Sequence, residues 1–286
     1  MAGQRLLGVA LSPGPTTFGP LLFAGRLEEG LDVAAEAGYS AVELSVRDAG
    51  DVNGKELSKL LEHRGLVLSA LATGQSCVCD GLCLDAPDAR VRDGAATRLA
   101  HAVALAADFG AAVIVGGIRG RFDLPEAERA GRRKAVVGAL RQSGRLATRL
   151  GVTQVLEPIN RYETAFVNNV TEALGVLEEI DEPSTGVLLD TFHMNIEERS
   201  LADAIRSAGS RLAYVHVADS NRQAPGRGHL DFAEVVRTLD EISYRGPVVA
   251  EILPVPDDRT AAHDSWSFLA PLLTGTGGVG GRGGVR

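Results

Sequence analysis

Short apolar runs alternate with longer amphipathic segments along almost the whole chain. The runs are rich in aliphatic and β-branched residues, as expected for strands that are buried on both faces of a parallel sheet. Eight runs have this character: Leu6–Ser12, Ala41–Val46, Leu66–Ala72, Ala112–Gly116, Thr153–Glu157, Thr185–Asp190, Arg211–Val217 and Pro247–Ile252. The pattern therefore predicts eight buried strands.

The segments between these runs repeat their apolar residues with the period of an α-helix. They predict helices at Leu27–Ala37, Lys55–His63, Ala89–Phe109, Glu126–Leu150, Val170–Ile180, Leu201–Ala208, Phe232–Ile242 and near His263–Leu272. A glycine just past a helix readily adopts the left-handed backbone that ends it. Six glycines stand at such junctions, directly or almost directly before an apolar run: Gly38, Gly65, Gly110, Gly151, Gly209 and Gly246.

Strands that alternate with helices are typical of an α/β fold with a parallel sheet. A doubly wound sheet usually has fewer strands and a glycine-rich phosphate-binding turn after its first strand. Residues 11–20 and 116–120 do not match that turn. We therefore predict a closed (β/α)8 TIM barrel, a single domain over residues 1–273. The Gly-rich residues 274–286 are predicted to be a disordered tail.

Composition and charge exclude several classes of protein. The 286 residues are 45% hydrophobic and 23% charged, which is ordinary for a globular protein and unlike a disordered chain. The net charge of −8 argues against nucleic acid as the main partner. No run reaches the ~20 apolar residues that span a bilayer, and the N-terminus does not resemble a signal peptide. We therefore expect a cytoplasmic protein that binds neither membrane nor nucleic acid.

The three cysteines form one cluster, Cys77, Cys79 and Cys83. Their odd number argues against a disulfide framework and for a reducing compartment. The cluster could bind a metal, but no histidine or further cysteine lies nearby to complete a tetrahedral site. We therefore expect a polar loop with incidental thiols.

Polar residues stand at the ends of four consecutive predicted strands. These are Glu157, Asp190, His216 and Glu251. TIM barrels carry their chemistry at this end of the strands, and buried carboxylates are costly unless a neighbouring group offsets their charge. A nearby helix terminus could do so for any one of them. For all four together we favour one divalent metal ion, and oxygen and imidazole ligands suit Mn²⁺, Mg²⁺ or Co²⁺.

The residues around these positions carry a resemblance to a known family. The blocks that carry it are Glu157–Thr164, Asp190–Met194, His216–Arg222 with Pro225–Gly228, and Glu251, together with Glu43 at the end of the second strand. In this order and spacing they resemble the xylose-isomerase-like TIM-barrel superfamily. Within it they are similar to the branch of sugar isomerases and epimerases that includes D-tagatose 3-epimerase and D-psicose 3-epimerase.

The resemblance implies a metal-dependent isomerase of carbohydrate metabolism, acting on a small ketose or keto-sugar. Four residues would bind one divalent ion, preferably Mn²⁺: Glu157, Asp190, His216 and Glu251. Glu157 and Glu251 would also transfer the proton next to the carbonyl, through an enediolate that the metal stabilises. Three residues would contact the oxygens of the sugar: Glu163, His193 and Arg222, the last of which could instead form a surface salt bridge. The resemblance also implies a homodimer or homotetramer.

Other activities of the same barrel stay open. A hydroxypyruvate isomerase or a dehydratase of the keto-inositol or dehydroshikimate type would also remove a proton beside a carbonyl. Arg119 and Arg121 could bind a carboxylate or phosphate on such a substrate, or lie at the surface. Endonuclease IV of the same superfamily needs further histidines after the third and fourth strands, which this sequence lacks. A sugar-binding protein without catalysis would need no paired carboxylates.

Overall fold

The computed structural model describes residues 5–274, which form a closed barrel of eight parallel strands in sequential order. The strands are β1 (Leu7–Leu11), β2 (Ala41–Ser45), β3 (Val67–Ala72), β4 (Ala112–Val115), β5 (Gln154–Leu156), β6 (Thr185–Asp190), β7 (Leu212–Val217) and β8 (Val248–Ala250). The barrel closes where β8 pairs with β1, with Gly8 opposite Val249. The predicted (β/α)8 fold is confirmed.

Helices surround this barrel. They are α1 (Leu27–Ala37), α2 (Gly54–Arg64), α3 (Gln75–Asp80), α4 (Ala89–Phe109), α5 (Glu126–Leu150), α6 (Val170–Ile180), α7 (Thr191–Glu197), α8 (Leu201–Ala208), α9 (Phe232–Glu241) and α10 (Asp258–Thr274). None of these helices is long and apolar enough to cross a membrane. The predicted tail lies outside the described residues except for Thr274, and the predicted domain boundary at residue 273 stays a prediction.

Local capping explains where most helices begin and end. The side chains of Asn53, Asp88 and Ser200 accept hydrogen bonds from the first turns of α2, α4 and α8. Four of the predicted glycines, Gly38, Gly65, Gly110 and Gly151, have the left-handed backbone directly after a helix. Gly209 follows α8 with a φ of 49°.

Gly246 was wrongly predicted to end a helix. Helix α9 stops earlier, at Glu241, and Ser243 takes the positive φ, 57°. The buried ring of Tyr244 follows, and its hydroxyl donates to the carbonyl oxygen of Pro247 at 2.7 Å. The helix therefore ends before a buried tyrosine, whose burial no local pattern shows.

The cysteine segment differs from its prediction. Cys77 and Cys79 lie on the short helix α3, and Cys77 forms a disulfide with Cys83 while Cys79 is free. The polar loop with three incidental thiols is therefore wrong. A six-residue helix is too short for periodicity to show, and the turn at Gly81 brings Cys83 back to Cys77. The inference of a reducing compartment depended on the expectation that no disulfide forms, and the Cys77–Cys83 disulfide removes that basis.

The hydrophobic core has two parts. A large cluster lies between the strands and the helices. A smaller one includes Ala70, Ile114, Val155, Leu188 and Tyr214, from five different strands, as expected for the side chains that fill a TIM-barrel interior. Because the interior is packed, a substrate can reach only the carboxyl ends of the strands and the loops that follow them.

The loops after β3, β4 and β5 meet at Gly120. The φ of Gly120 is +93°, and a Cβ atom there would overlap the carboxylate of Asp85. That carboxylate accepts a hydrogen bond from the backbone N–H of Phe122 at 2.8 Å. The hydroxyl of Thr164 donates to the carbonyl oxygen of Gly120 at 3.0 Å. Only glycine fits this junction.

Gly120→Ala should therefore lower the free energy of unfolding by about 1–3 kcal/mol, measured by urea denaturation. Gly138→Ala is the matched control, because Gly138 lies on the exposed side of α5 and a Cβ there meets nothing within 4 Å. The control should raise stability by ~0.5–1 kcal/mol. Equal effects of the two substitutions would contradict the role given to the junction.

Candidate functional site

The four predicted metal ligands meet at the carboxyl end of the barrel. Asp190 and His216 end or nearly end β6 and β7 and lie opposite each other in the strand register. Glu157 directly follows β5, and its backbone N–H donates to the carbonyl oxygen at the end of the neighbouring strand β4. Glu251 directly follows β8, and its backbone N–H donates in the same way to the end of β7. All four side chains are buried, and one ligand atom of each lies within 4.8 Å of those of the others. The strand ends therefore converge on one point, as the sequence predicted.

The Nδ1 atom of His216 shows that these residues fit a cation. It lies 3.8 Å from Glu157 Oε1, 3.8 Å from Asp190 Oδ2 and 3.7 Å from Glu251 Oε2. It is buried and has no hydrogen-bond partner, which is costly for a polar atom. One imidazole nitrogen and three carboxylate oxygens around a point are the ligands that hard divalent ions accept. The cluster could therefore hold one metal ion.

Glu43 holds the other side of the His216 ring. Its Oε2 lies 2.8 Å from His216 Nε2, and both side chains are fully buried. This hydrogen bond directs Nε2 toward Glu43 and leaves Nδ1 to face the three carboxylates. Carboxylates commonly orient metal-binding histidines in this way. The sequence pointed to Glu43 only through the family resemblance, which placed it at the end of the second strand. The structure places it in the middle of β2. The signal in the sequence that could have identified Glu43 was a charged residue inside an apolar strand.

Glu43→Ala should weaken the binding of Mn²⁺ by about 10–100-fold, because the His216 ring loses its orientation. Glu43→Gln keeps an accepting oxygen and should recover part of the affinity. Isothermal titration with Mn²⁺ measures both. Glu241→Ala, which breaks a surface ion pair of 2.9 Å with Arg206, is the control and should bind normally. A folded Glu43→Ala variant with unchanged affinity for Mn²⁺ would contradict the role of Glu43 in orienting His216.

Arg222 lies inside the site and not in a surface salt bridge. It is buried, and its Nη1 donates to Asp190 Oδ2 at 2.6 Å while its Nη2 contacts Glu251. The guanidinium packs over the Phe192 ring at 4.8 Å. The backbone φ of Arg222 is 62°, a loop conformation that was not visible in the sequence.

His193 lies beside the same carboxylates. Its Nε2 is 3.7 Å from Glu157 Oε1 and 4.0 Å from Asp190 Oδ2. Its Nδ1 lies 2.8 Å from Asn160 Nδ2, which also donates to Glu163 Oε1 at 2.8 Å. Asn160 therefore connects two predicted substrate residues, and sequence reasoning did not assign it a role. With Nδ1 accepting from Asn160, the Nε2–H of a neutral His193 points toward the carboxylates.

Glu157 and Glu251 differ in proton affinity although they lie side by side. Burial raises the pKa of Glu251 to about 8, against the opposing charges of Arg222 and His216. Burial acts on Glu157 in the same direction, but the imidazoles of His216 and His193 hold the pKa of Glu157 below its usual value.

The cluster opens into a cavity of about 870 Å³. Glu157 and Glu251 line this cavity, as do all three predicted substrate residues, whereas Asp190 and His216 do not. Arg121 lines it too. Arg119 is 1% exposed, donates to the carbonyl oxygen of Gly116 and does not line the cavity. Of the two arginines after β4, only Arg121 is placed to meet a ligand.

Among residues 5–274, this cluster is the one group of three or more His, Cys, Asp or Glu side chains that could hold a metal ion. The segments after β3 and β4 supply no histidine to it. The second and third ions of a three-metal nuclease would therefore lack ligands in the described part of the chain.

Comparison with known proteins agrees with this geometry. A family described as xylose isomerase-like TIM barrel matches residues 31–272. D-psicose 3-epimerase from Enterocloster bolteae is 32% identical over 229 residues, 77% of this chain and 75% of that protein. L-ribulose 3-epimerase from Methylomonas sp. is 34% identical over 221 residues, 76% of this chain and 75% of that protein. The crystal structure of 3-keto-D-glucoside 4-epimerase from E. coli has a TM-score of 0.79 at 26% identity, covering 93% of this chain and 99% of that one.

Proposed function

Because this chain belongs to the xylose isomerase-like TIM-barrel family, we propose that it is a metal-dependent epimerase that inverts a carbon next to the carbonyl group of a sugar. One observation carries the proposal: two buried carboxylates, Glu157 and Glu251, face one cavity beside a ligand set for a hard cation. The names of the three similar proteins all describe epimerases of ketoses or keto-sugars. The substrate unit that they share is a ketone with a hydroxyl on the next carbon.

The proposed metal ligands divide into two kinds. Asp190 and His216 lie below the cavity and serve only to hold the ion, whereas Glu157 and Glu251 also face the substrate. Mn²⁺ is favoured, with Mg²⁺ and Co²⁺ as alternatives. When bound, a divalent ion polarises the substrate carbonyl and stabilises the negative charge that develops on its oxygen.

Glu157 and Glu251 move the proton. One carboxylate removes the proton from the carbon next to the carbonyl, which leaves a planar carbon centre. The other returns a proton to the opposite face, so that the configuration inverts. One C–H bond breaks and one forms, and no other bond of the substrate changes.

Three cavity residues orient the substrate. Arg222 reaches the cavity while its other donors hold Asp190 and Glu251, so it fixes these carboxylates and can donate to a sugar oxygen. His193 presents a ring nitrogen 3.7 Å from Glu157. Glu163, held by Asn160, accepts from a sugar hydroxyl. A sugar held on both sides in this way has its reacting carbon between the two carboxylates.

Proton NMR in D₂O tests the proposal. Purified protein with Mn²⁺ is incubated with D-psicose, L-ribulose and other ketoses, and with keto-acids. We expect deuterium at the carbon next to the carbonyl together with the epimeric sugar. Loss of water would identify a dehydratase, and movement of the carbonyl would identify an isomerase of the hydroxypyruvate type. No exchange with any compound, or incision of abasic-site DNA, would contradict the epimerase.

The cytoplasmic location and the homodimer or homotetramer stay predictions. Size-exclusion chromatography with light scattering tests the second.

A further inference from the structure

The cavity above the carboxylate cluster is larger than one sugar requires. Its volume of about 870 Å³ lies near the upper end of the ~300–1,000 Å³ range of pockets that hold drug-sized ligands. A monosaccharide is much smaller than such a ligand. In the proposed function the reacting sugar contacts the carboxylate pair and the three predicted substrate residues, so the remainder of the cavity is available to another part of the ligand.

Two loop segments form this remaining part, which we call the outer wall: residues 77–87 after β3 and residues 120–124 after β4. Its apolar surface consists of Val78, Pro87, Leu124 and the Cys77–Cys83 disulfide. Val78 is 53% exposed, so its side chain is open to solvent although it lines the cavity. A free sugar gains little binding energy from these apolar groups because its hydroxyls need polar partners. An apolar group gains by leaving water.

The outer wall is held in place. The disulfide ties Cys77 to Cys83, and the next residue, the buried Leu84, donates its backbone N–H to the carbonyl oxygen of Ile118 at 2.9 Å. Asp85 then accepts from the backbone of Phe122. A wall fixed before binding costs little ordering entropy when a ligand arrives. These contacts distinguish a preformed subsite from a loose loop.

The outer wall also carries charged residues that can bind a sugar ring. Asp85, Arg121 and Asp123 belong to the outer wall and line the cavity, and together they offer both acceptors and donors for hydroxyl groups. An apolar surface with a few polar groups beside it is the usual lining of a specific small-molecule site.

We propose that the preferred substrate is a glycoside whose sugar ring carries the ketone. This rests on the proposed function and specifies its substrate class. The α-hydroxy ketone lies at the strand ends, and the group on the anomeric carbon lies along the outer wall. A ring ketone is already free to react, whereas a free ketose must first open its ring to expose the carbonyl. The glycosidic bond stays intact, and only one C–H bond is broken and re-formed.

Paired substrates test this proposal. Deuterium exchange is measured for the Mn²⁺-loaded protein with methyl and phenyl 3-keto-glucosides and with D-psicose. We expect kcat/KM to be about tenfold higher for the phenyl than for the methyl glucoside, since the phenyl ring buries apolar surface on the outer wall. Both glucosides should exceed D-psicose.

Val78→Asn locates the effect. It should raise KM for the phenyl glucoside by about three- to tenfold and raise KM for the methyl glucoside by a much smaller factor, because a methyl group buries less apolar surface. Val67→Asn is the matched control, because this exposed valine lies at the opposite end of β3. It should change neither constant.

Two outcomes separate this inference from the proposed function. Epimerisation of D-psicose with a higher kcat/KM than either glucoside would overturn the glycoside proposal and leave the epimerase standing. Exchange with none of the three substrates would overturn the glycoside proposal, and no exchange across the wider panel of ketoses and keto-acids would overturn the epimerase as well. A phenyl preference that Val78→Asn does not reduce would show that the outer wall is not the subsite.

Discussion

Glu251→Gln is expected to lower the rate of epimer formation by about 10²–10⁴-fold, the usual contribution of one proton-transferring group. The amide keeps an oxygen toward the cation but cannot take or give the proton at neutral pH. Glu157 remains on the other side of the reacting carbon. It can still remove the proton from one of the two epimers, but the proton must then return to the same face.

The variant should therefore exchange deuterium into one epimer without inverting it, and leave the other epimer unlabelled. Proton NMR of both epimers in D₂O shows this asymmetry, and metal analysis of the same sample shows whether the ion is retained. Glu241→Gln at the surface is the control and should behave as the unaltered protein. Normal epimer formation by Glu251→Gln with a full complement of metal would remove Glu251 from the pair.

Removal of the divalent ion should abolish turnover and lower the melting temperature. Three carboxylates converge with Nδ1 of His216, and without a cation only Arg222 and the histidines offset their charge. Because the ion binds the folded state alone, Mn²⁺ at 100 times its dissociation constant should stabilise the protein by about 2.7 kcal/mol. Chelation followed by titration with Mn²⁺, read by activity and by thermal unfolding, measures both effects.

Asp190→Asn is the matched control for this experiment. It removes one ligand charge at a residue that does not line the cavity, and its melting temperature should respond much less to Mn²⁺. Full turnover after exhaustive chelation would contradict the metal-dependent mechanism.

The fold and the convergence of the four candidate ligands could be predicted because they depend on local patterns. Buried strands, glycine-terminated helices and polar strand ends are all readable along the chain, and barrel closure alone brings Glu157, Asp190, His216 and Glu251 together. The family match over residues 31–272 agrees with the predicted fold.

Two of the missed residues depend on contacts between distant segments. Glu43 acts through a histidine 173 positions away, and Asn160 through one 33 positions away. Helix α7 begins at the strand end itself, where Asp190 accepts from the N–H of Phe192 at 2.8 Å, so no loop separates the two elements. The Cys77–Cys83 pairing likewise needs the turn at Gly81. Spacing along the sequence does not reveal such partners.

The two halves of the chain supply different parts of the candidate site. All four candidate metal ligands lie at or directly after the ends of β5 to β8, whereas the outer wall comes from the segments after β3 and β4. Recombination that exchanges the first half between related genes would therefore pass on the reaction unchanged and alter which sugar is accepted, provided that the glutamate at position 43 is inherited with it. In such a lineage, new specificities arise without the chemistry being invented again.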